Sequence, residues 1–278
     1  MSTRIPLNKL KDGIADRVAG IAEGRIAPAE VRQASTVMIL RDGPEVLMMK
    51  RPAAMSFAAG AYVFPGGRVD PADADPSIGW HGPAPSAFAA RLGAPDEDVA
   101  RALVCAAIRE TFEEAGLLLA GAPDGPVTVP SGEAWEADRA ELIAGTTTFG
   151  ELLARRGLAL RADLLVPWAR WITPEAEPKR YDTRFFVTRL PAGQEATGHA
   201  AEADRLAWVN PADGLRAARD HEMFLMPPTA TTLNEFARLG DVGAILGEER
   251  SIVPIQPRIV AEDGQPWLEI PPEADIPD

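Results

Sequence analysis

Arg109-Glu110-Thr111-Phe112-Glu113-Glu114-Ala115-Gly116-Leu117 is the stretch on which the reading of this 278-residue chain turns. On a helix, Glu110, Glu113 and Glu114 stand at i, i+3 and i+4, so three carboxylates project from one face. Val104, Ile108, Phe112 and Ala115 fall on the opposite side and form the face that would be buried. Glu110 and Glu114 are a like-charge i,i+4 pair, which costs about 0.2–0.5 kcal/mol even at an exposed site. No Lys or Arg is read at four residues from any of the three glutamates to neutralise them. Two readings stay open for the residues taken alone. One is a solvated acidic helix face, the common case for charge clusters on surface helices. The other is a site for a hard divalent cation such as Mg²⁺, which takes carboxylate oxygens. Gly116 ends the helix because glycine enters the left-handed conformation freely.

Composition narrows the field. Apolar content is ordinary for a globular protein, and the length suits one large domain or two small ones. The formal charge of −13 argues against general binding to a nucleic-acid backbone. Cys105 is the sole cysteine, which excludes an intrachain disulfide and a cysteine zinc cluster. His81, His199 and His221 are widely scattered, which argues against a histidine metal site. No apolar run approaches a membrane span. The N-terminal residues lack a secretory apolar core, and Asp12, Asp16 and Glu23 suit an organelle presequence poorly. The expected address is cytoplasmic, with no membrane partner.

Outward from the central stretch, the chain alternates strand and helix signals. Leu10–Ile21 reads as a short amphipathic helix within an N-terminal extension, residues 1–30. Residues 34–40 and 45–49 read as a β-hairpin around Arg41-Asp42-Gly43-Pro44, near the middle of a sheet because both runs are continuously apolar. A short strand, Ala61-Tyr62-Val63, runs into Phe64-Pro65-Gly66-Gly67, where adjacent glycines permit close backbone approach. Residues 74–95 read as an inserted loop with one short helical piece, anchored by Trp80 and Phe88. The central helix then begins near Asp96, Glu97 and Asp98, acidic residues suited to a helix N-terminus. Leu117–Ala120 reads as the start of a strand. Residues 133–157 read as two short helices, Ala134–Ala144 and Phe149–Arg156, with Glu136, Asp138, Glu141 and Glu151 on solvated faces. Further strands are expected over 164–172, 180–190 and 202–209, helices from Gly214 and over 229–239, and strand pieces at 252–255 and 259–260. The main domain is placed at 31–260 and the proline-rich acidic residues 261–278 are expected to be a mobile tail.

Gly67 and Arg109-Glu110-x-x-Glu113-Glu114-x-Gly116-Leu117 together resemble the Nudix box, Gly-x5-Glu-x7-Arg-Glu-U-x-Glu-Glu-x-Gly-U, where U is a bulky apolar residue. The second half matches except at Thr111, which takes a U position. In the first half the residue six after Gly67 is Asp73 rather than Glu, and thirty-five residues rather than seven separate it from Arg109. One Nudix branch, which includes peroxisomal coenzyme A diphosphatases, carries a long insertion at this place, and the chain resembles it over most of its length. The resemblance implies the α/β Nudix fold, a mixed β-sheet sandwiched between helices, with helical insertions. It implies Glu110, Glu113 and Glu114 as ligands of Mg²⁺ or Mn²⁺, and Arg109 as the arginine that orients a box carboxylate.

It also implies metal-dependent attack of water on a pyrophosphate linkage in a small-molecule diphosphate. Glu110 is the first candidate for the base that takes the water proton, with Glu202 as the alternative outside the box. Arg51, Gly66, Gly67, Arg68 and Arg184 are candidate substrate-binding residues, with Lys50 and Arg180 as further cations within reach. Coenzyme A-cleaving members carry Arg-(Ser/Ala)-x3-Arg-x3-Gly-x3-Phe-Pro-Gly-Gly ahead of the box. Arg51, Gly60 and Phe64-Pro65-Gly66-Gly67 fit that register, while Pro52 and Ser56 depart from it. Coenzyme A or acyl-CoA is therefore the leading substrate, with ADP-ribose, a dinucleotide or a non-catalytic Nudix-fold sensor as alternatives. A homodimer stays open, as does a role for Asp73 in the site.

Overall fold

The computed structural model describes residues 3–7, 13–52, 60–123, 125–198, 206–262, 265–272 and 274. Its centre is the hairpin of Val31–Arg41 and Glu45–Lys50, with Leu40 opposite Val46 and Arg41 opposite Glu45. Arg180–Arg189 lies parallel to Val31–Arg41 on its other side, and Val166–Ile172 pairs antiparallel beyond it. Ala61–Val63 extends the sheet past Glu45–Lys50, and Gly66–Arg68 and Leu206–Val209 add short antiparallel pairings to the hairpin strands. The result is a mixed sheet, as expected for the Nudix fold.

Both faces of this sheet are covered, which explains the continuous apolar runs of its central strands. Along Val31–Arg41 the side chains alternate between two cores. Val37 and Ile39 face Leu103, Val104, Ala107 and Ile108 of the helix Glu97–Ala115. Met38 and Leu40 face the other way, toward Leu233, Phe236, Val242 and Ile245 of the helices Pro227–Leu239 and Val242–Leu246. No helix among the described residues is long and apolar enough to cross a membrane.

The two expected helices in the second insertion lie at Glu133–Ile143 and Phe149–Arg156. Four expectations change. Residues 74–95 hold a strand, Trp80–His81, and a helix, Pro85–Leu92, whose Phe88 and Leu92 are buried, so the segment is packed structure and not a loop. Trp80 and Phe88 meet edge to face with centroids 5.9 Å apart. The strand expected from Leu117 begins only at Ala120–Gly121, paired with Ala159–Arg161, and Leu117 and Leu118 ahead of it are buried outside the strand. The Gln194 side chain instead accepts from the Leu118 N–H at 2.9 Å and donates to its carbonyl at 2.8 Å, doing what a neighbouring strand would do. Asp138 does not face solvent; it is buried between Arg155 and Arg156 and ties the two insertion helices together. The expected tail is not free over its whole length. Gln265–Ile270 pairs antiparallel with both Thr3–Pro6 and Arg258–Glu262, and Ile270 is fully buried.

Candidate active site

The helix that carries the acidic stretch runs Glu97–Ala115. Asp96 caps it by accepting from the Val99 N–H at 2.8 Å, and Gly116 ends it at φ 67°. The buried side is the expected one, with Val104, Ile108, Phe112 and Ala115 in the core. Thr111, the departure from the apolar pattern, is also fully buried. Its hydroxyl donates to the Ala107 carbonyl at 2.8 Å, so the polar atom is satisfied within its own helix.

The opposite face meets Gly66–Arg68. That short strand lies against Ser35 and Thr36, and a Cβ at Gly66 would strike their backbone. A Cβ at Gly67 would fall on the Glu110 carboxylate. The Gly66 N–H donates to Glu114 Oε2 at 2.7 Å. The two glycines are therefore required by contact with the sheet on one side and the carboxylates on the other.

Asp73 joins the two halves. Asp70 and Asp73 cap a short 3₁₀ turn, Pro71–Ala74, reciprocally. Asp73, only 2% exposed, accepts both Arg109 Nε at 2.9 Å and Nη2 at 3.0 Å, a bidentate pair. Arg109 Nη2 also donates to the Arg68 carbonyl at 2.8 Å, and Nη1 donates to Glu110 Oε1 at 2.9 Å and Glu113 Oε1 at 3.1 Å. The carboxylates therefore have a cation at helical spacing after all, because Arg109 stands four residues before Glu113. Burial works against the guanidinium charge, but the bonds to Asp73 and the attraction of Asp73, Glu110 and Glu113 outweigh it, so Arg109 is held firmly charged.

One arginine does not balance three carboxylates. Burial pushes the Glu110 carboxyl up to about 7, against the opposing pull of Arg109 and with further repulsion from Glu113 and Asp73. Burial likewise raises Glu113. Among the described residues, Oε2 of Glu110 and of Glu113 accepts no hydrogen bond. As arranged here, no group of three or more acidic, His or Cys side chains among the described residues is placed to hold a metal ion. The donors themselves fit a hard cation, being carboxylate oxygens in negative excess on one helix face.

The other candidates separate clearly. Arg68 contributes its carbonyl to Arg109, and the residue is exposed. Arg51 is half-buried, and its Nε is buried without a hydrogen-bond partner among the described residues. Arg184 is not available to a substrate. It is 1% exposed, pairs with Asp182 at 2.6 Å, and donates to the Leu92 carbonyl and Gln33 Oε1. Arg180 is buried on the carbonyls of Thr173 and Ala29. Lys50 is exposed, with its ammonium 5.5 Å from the Tyr62 ring centroid. Glu202 and Ser56 lie outside the described residues.

A family model described as the NUDT19 Nudix domain matches residues 83–239, more than half of the chain. The chain belongs to this Nudix family. The matched span contains the Arg109–Leu117 half of the Nudix box. Acyl-coenzyme A diphosphatase NUDT19 of Homo sapiens is 31% identical over 72% of this chain and 63% of its own length. The protein of the same name from Xenopus laevis is 25% identical over 72% of this chain and 62% of its own. The chain thus spans just under two thirds of these curated relatives. The crystal structure of a Nudix hydrolase from Alicyclobacillus acidocaldarius matches 80% of this chain and 98% of its own, with a TM-score of 0.67 and 29% identity. That match supports the Nudix fold for the sheet and helices described above.

Proposed function

We propose that the chain hydrolyses a pyrophosphate linkage in a nucleoside diphosphate derivative, with coenzyme A or acyl-CoA as substrate and 3′,5′-ADP and (acyl-)4′-phosphopantetheine as products. The observation that carries this reading is the bidentate Arg109–Asp73 pair, which closes the Nudix box across its long insertion. The names of the human and frog relatives support the coenzyme A assignment. So does the register of Arg51, Gly60 and Phe64-Pro65-Gly66-Gly67.

Glu110, Glu113 and Glu114 would hold a divalent cation, Mg²⁺ or Mn²⁺, whose chemistry is to neutralise diphosphate oxygens and acidify a bound water. The chain's own groups do the rest. Arg109 fixes Glu110 and Glu113 from one side, and the Gly66 N–H fixes Glu114 from the other. Glu110 is the first candidate for the base that takes the water proton, and in the metal-free chain burial raises its carboxyl to about 7. Glu202 remains the alternative base. Arg51 and Arg68 are the cations for the substrate phosphates, since neither guanidinium is committed as Arg184 is. Water attacks one phosphorus and a phosphate ester leaves, so no covalent enzyme intermediate is needed. The same reading takes a small molecule as partner, keeps the cytoplasmic address, and excludes nucleic acid on the −13 charge.

Incubation with Mg²⁺ or Mn²⁺ and a panel of coenzyme A, acyl-CoA, ADP-ribose, NADH and diadenosine polyphosphates, followed by mass spectrometry, tests it. Cleavage of the coenzyme A compounds first and fastest is expected. Turnover unchanged in Glu114→Gln would overturn the carboxylate mechanism. Metal-dependent binding without products from any compound would mark a sensor.

A further inference from the structure

The C-terminal turn of the Nudix helix carries Glu113 and Glu114, and a helix leaves its last carbonyls without partners in its own turn. Here one of them is held by a buried guanidinium from a different part of the chain. Arg139, on the insertion helix Glu133–Ile143, is 1% exposed. Its Nε donates to the Glu113 carbonyl at 3.0 Å and its Nη2 to the same oxygen at 2.8 Å. Its Nη1 reaches Thr197 Oγ1 at 3.4 Å, and the Thr197 N–H donates to the Ala115 carbonyl at 2.8 Å. A cation at this end also complements the helix dipole.

The insertion helix is itself held in place. Trp135 meets Phe112 edge to face at 6.0 Å, the Arg156 guanidinium lies over the Trp135 ring at 4.3 Å, and Asp138 accepts from Arg155 and Arg156. Glu113 is thus bracketed, its carboxylate by Arg109 and its carbonyl by Arg139. A Cβ at Gly116 would strike Thr197, so the helix end has no slack toward that side.

We propose that Arg139 is a positioning residue for the Glu113–Glu114 pair, and that the 133–157 insertion acts through it to set the geometry in which these carboxylates meet a divalent cation. The inference rests on the cation-binding reading of those glutamates. Arg139 touches no substrate; it fixes the backbone from which two ligands project. A fork with two donors on one carbonyl defines a direction that a single ammonium does not.

The test is Mn²⁺ affinity, measured on the full chain well below its unfolding transition by the electron paramagnetic resonance of free Mn²⁺, together with kcat and KM for coenzyme A. Arg139→Met is expected to weaken Mn²⁺ binding about 10-fold, the usual size for loss of a group that orients a ligand, and to lower kcat more than it raises KM. Arg139→Lys is expected to fall between this variant and the parent, and it decides the matter alone if Arg139→Met does not fold. Arg155→Met does not touch Glu113 and leaves Asp138 held by Arg156, so the insertion stays in place and the Mn²⁺ affinity is expected to remain within about twofold of the parent. Parental Mn²⁺ affinity in a folded Arg139→Met or Arg139→Lys would overturn the proposal, as would an equal loss in Arg155→Met. A parent chain that binds no Mn²⁺ would instead overturn the cation reading beneath it.

Discussion

Two of the buried arginine–carboxylate clusters among the described residues differ in which charge is in excess. Around the Nudix helix, one guanidinium, Arg109, serves Asp73, Glu110 and Glu113. On the far strands, two guanidinia, Arg170 and Arg184, serve the single carboxylate of Asp182. The second cluster closes on itself. Burial works against the Asp182 charge, but Arg170 and Arg184 hold it below the ordinary carboxylate range, and the remaining Arg184 donors go to carbonyls and Gln33. The first cluster does not close, and burial leaves Glu110 and Glu113 raised even with Arg109 beside them. An ion cluster short of positive charge calls for a cation from outside; one that is complete is structural.

The largest expected effect separates the clusters by activity. Glu113→Gln should lower kcat about 10³-fold, roughly 4 kcal/mol of barrier, while leaving stability unchanged or slightly higher because like-charge repulsion is relieved. Steady-state kinetics beside urea unfolding would show this. A matching fall in both quantities would mean that the glutamates hold the fold and not the reaction. Arg109→Met comes next. It leaves Asp73 buried without its partner, so a loss of about 3 kcal/mol in urea unfolding is expected, together with loss of turnover.

Arg184→Met should cost a similar amount of stability, about 3 kcal/mol. The folded enzyme should keep its KM for coenzyme A within about twofold. A tenfold rise in KM would return Arg184 to the substrate site. The last effect, confined to the metal-free protein, is in pH. Glu110 is raised from 4.5 unfolded to about 7 folded, so the native state binds more protons between these values. Stability of the metal-free protein therefore falls as pH rises through that window, by up to about 3 kcal/mol. Thermal unfolding across pH 4.5 to 7 checks it, and Glu110→Gln should flatten the curve.

How much of this could be read from the sequence depends on the range of the contact. The hairpin at 31–50, the insertion helices and the Nudix helix all carry local signals of period, cap and breaker, and the structure reproduces them closely. The role of Asp73 stayed open because its partner lies across thirty-five residues of packed insertion. Arg184 departs from its expected substrate role for a related reason: a strand arginine shows its charge in the sequence but not whether a carboxylate lies beside it, as Asp182 does. Arg139 left a fainter trace. Trp135, Asp138, Arg139 and Leu142 share one face at helical spacing, which marks two charged residues as inward-facing and hence partnered. The cation for the glutamates is legible in the spacing itself, since Arg109 and Glu113 are four residues apart.

The central claim is that the carboxylate excess on the Nudix helix makes the chain a cation-dependent pyrophosphohydrolase. Its most direct test is incubation with coenzyme A in ¹⁸O-water, with Mg²⁺ or Mn²⁺ and with chelator, read by mass spectrometry. The account predicts 3′,5′-ADP and 4′-phosphopantetheine only when the cation is present, with one ¹⁸O on a newly formed phosphate. Products that form equally in chelator, or that carry no ¹⁸O, would contradict it.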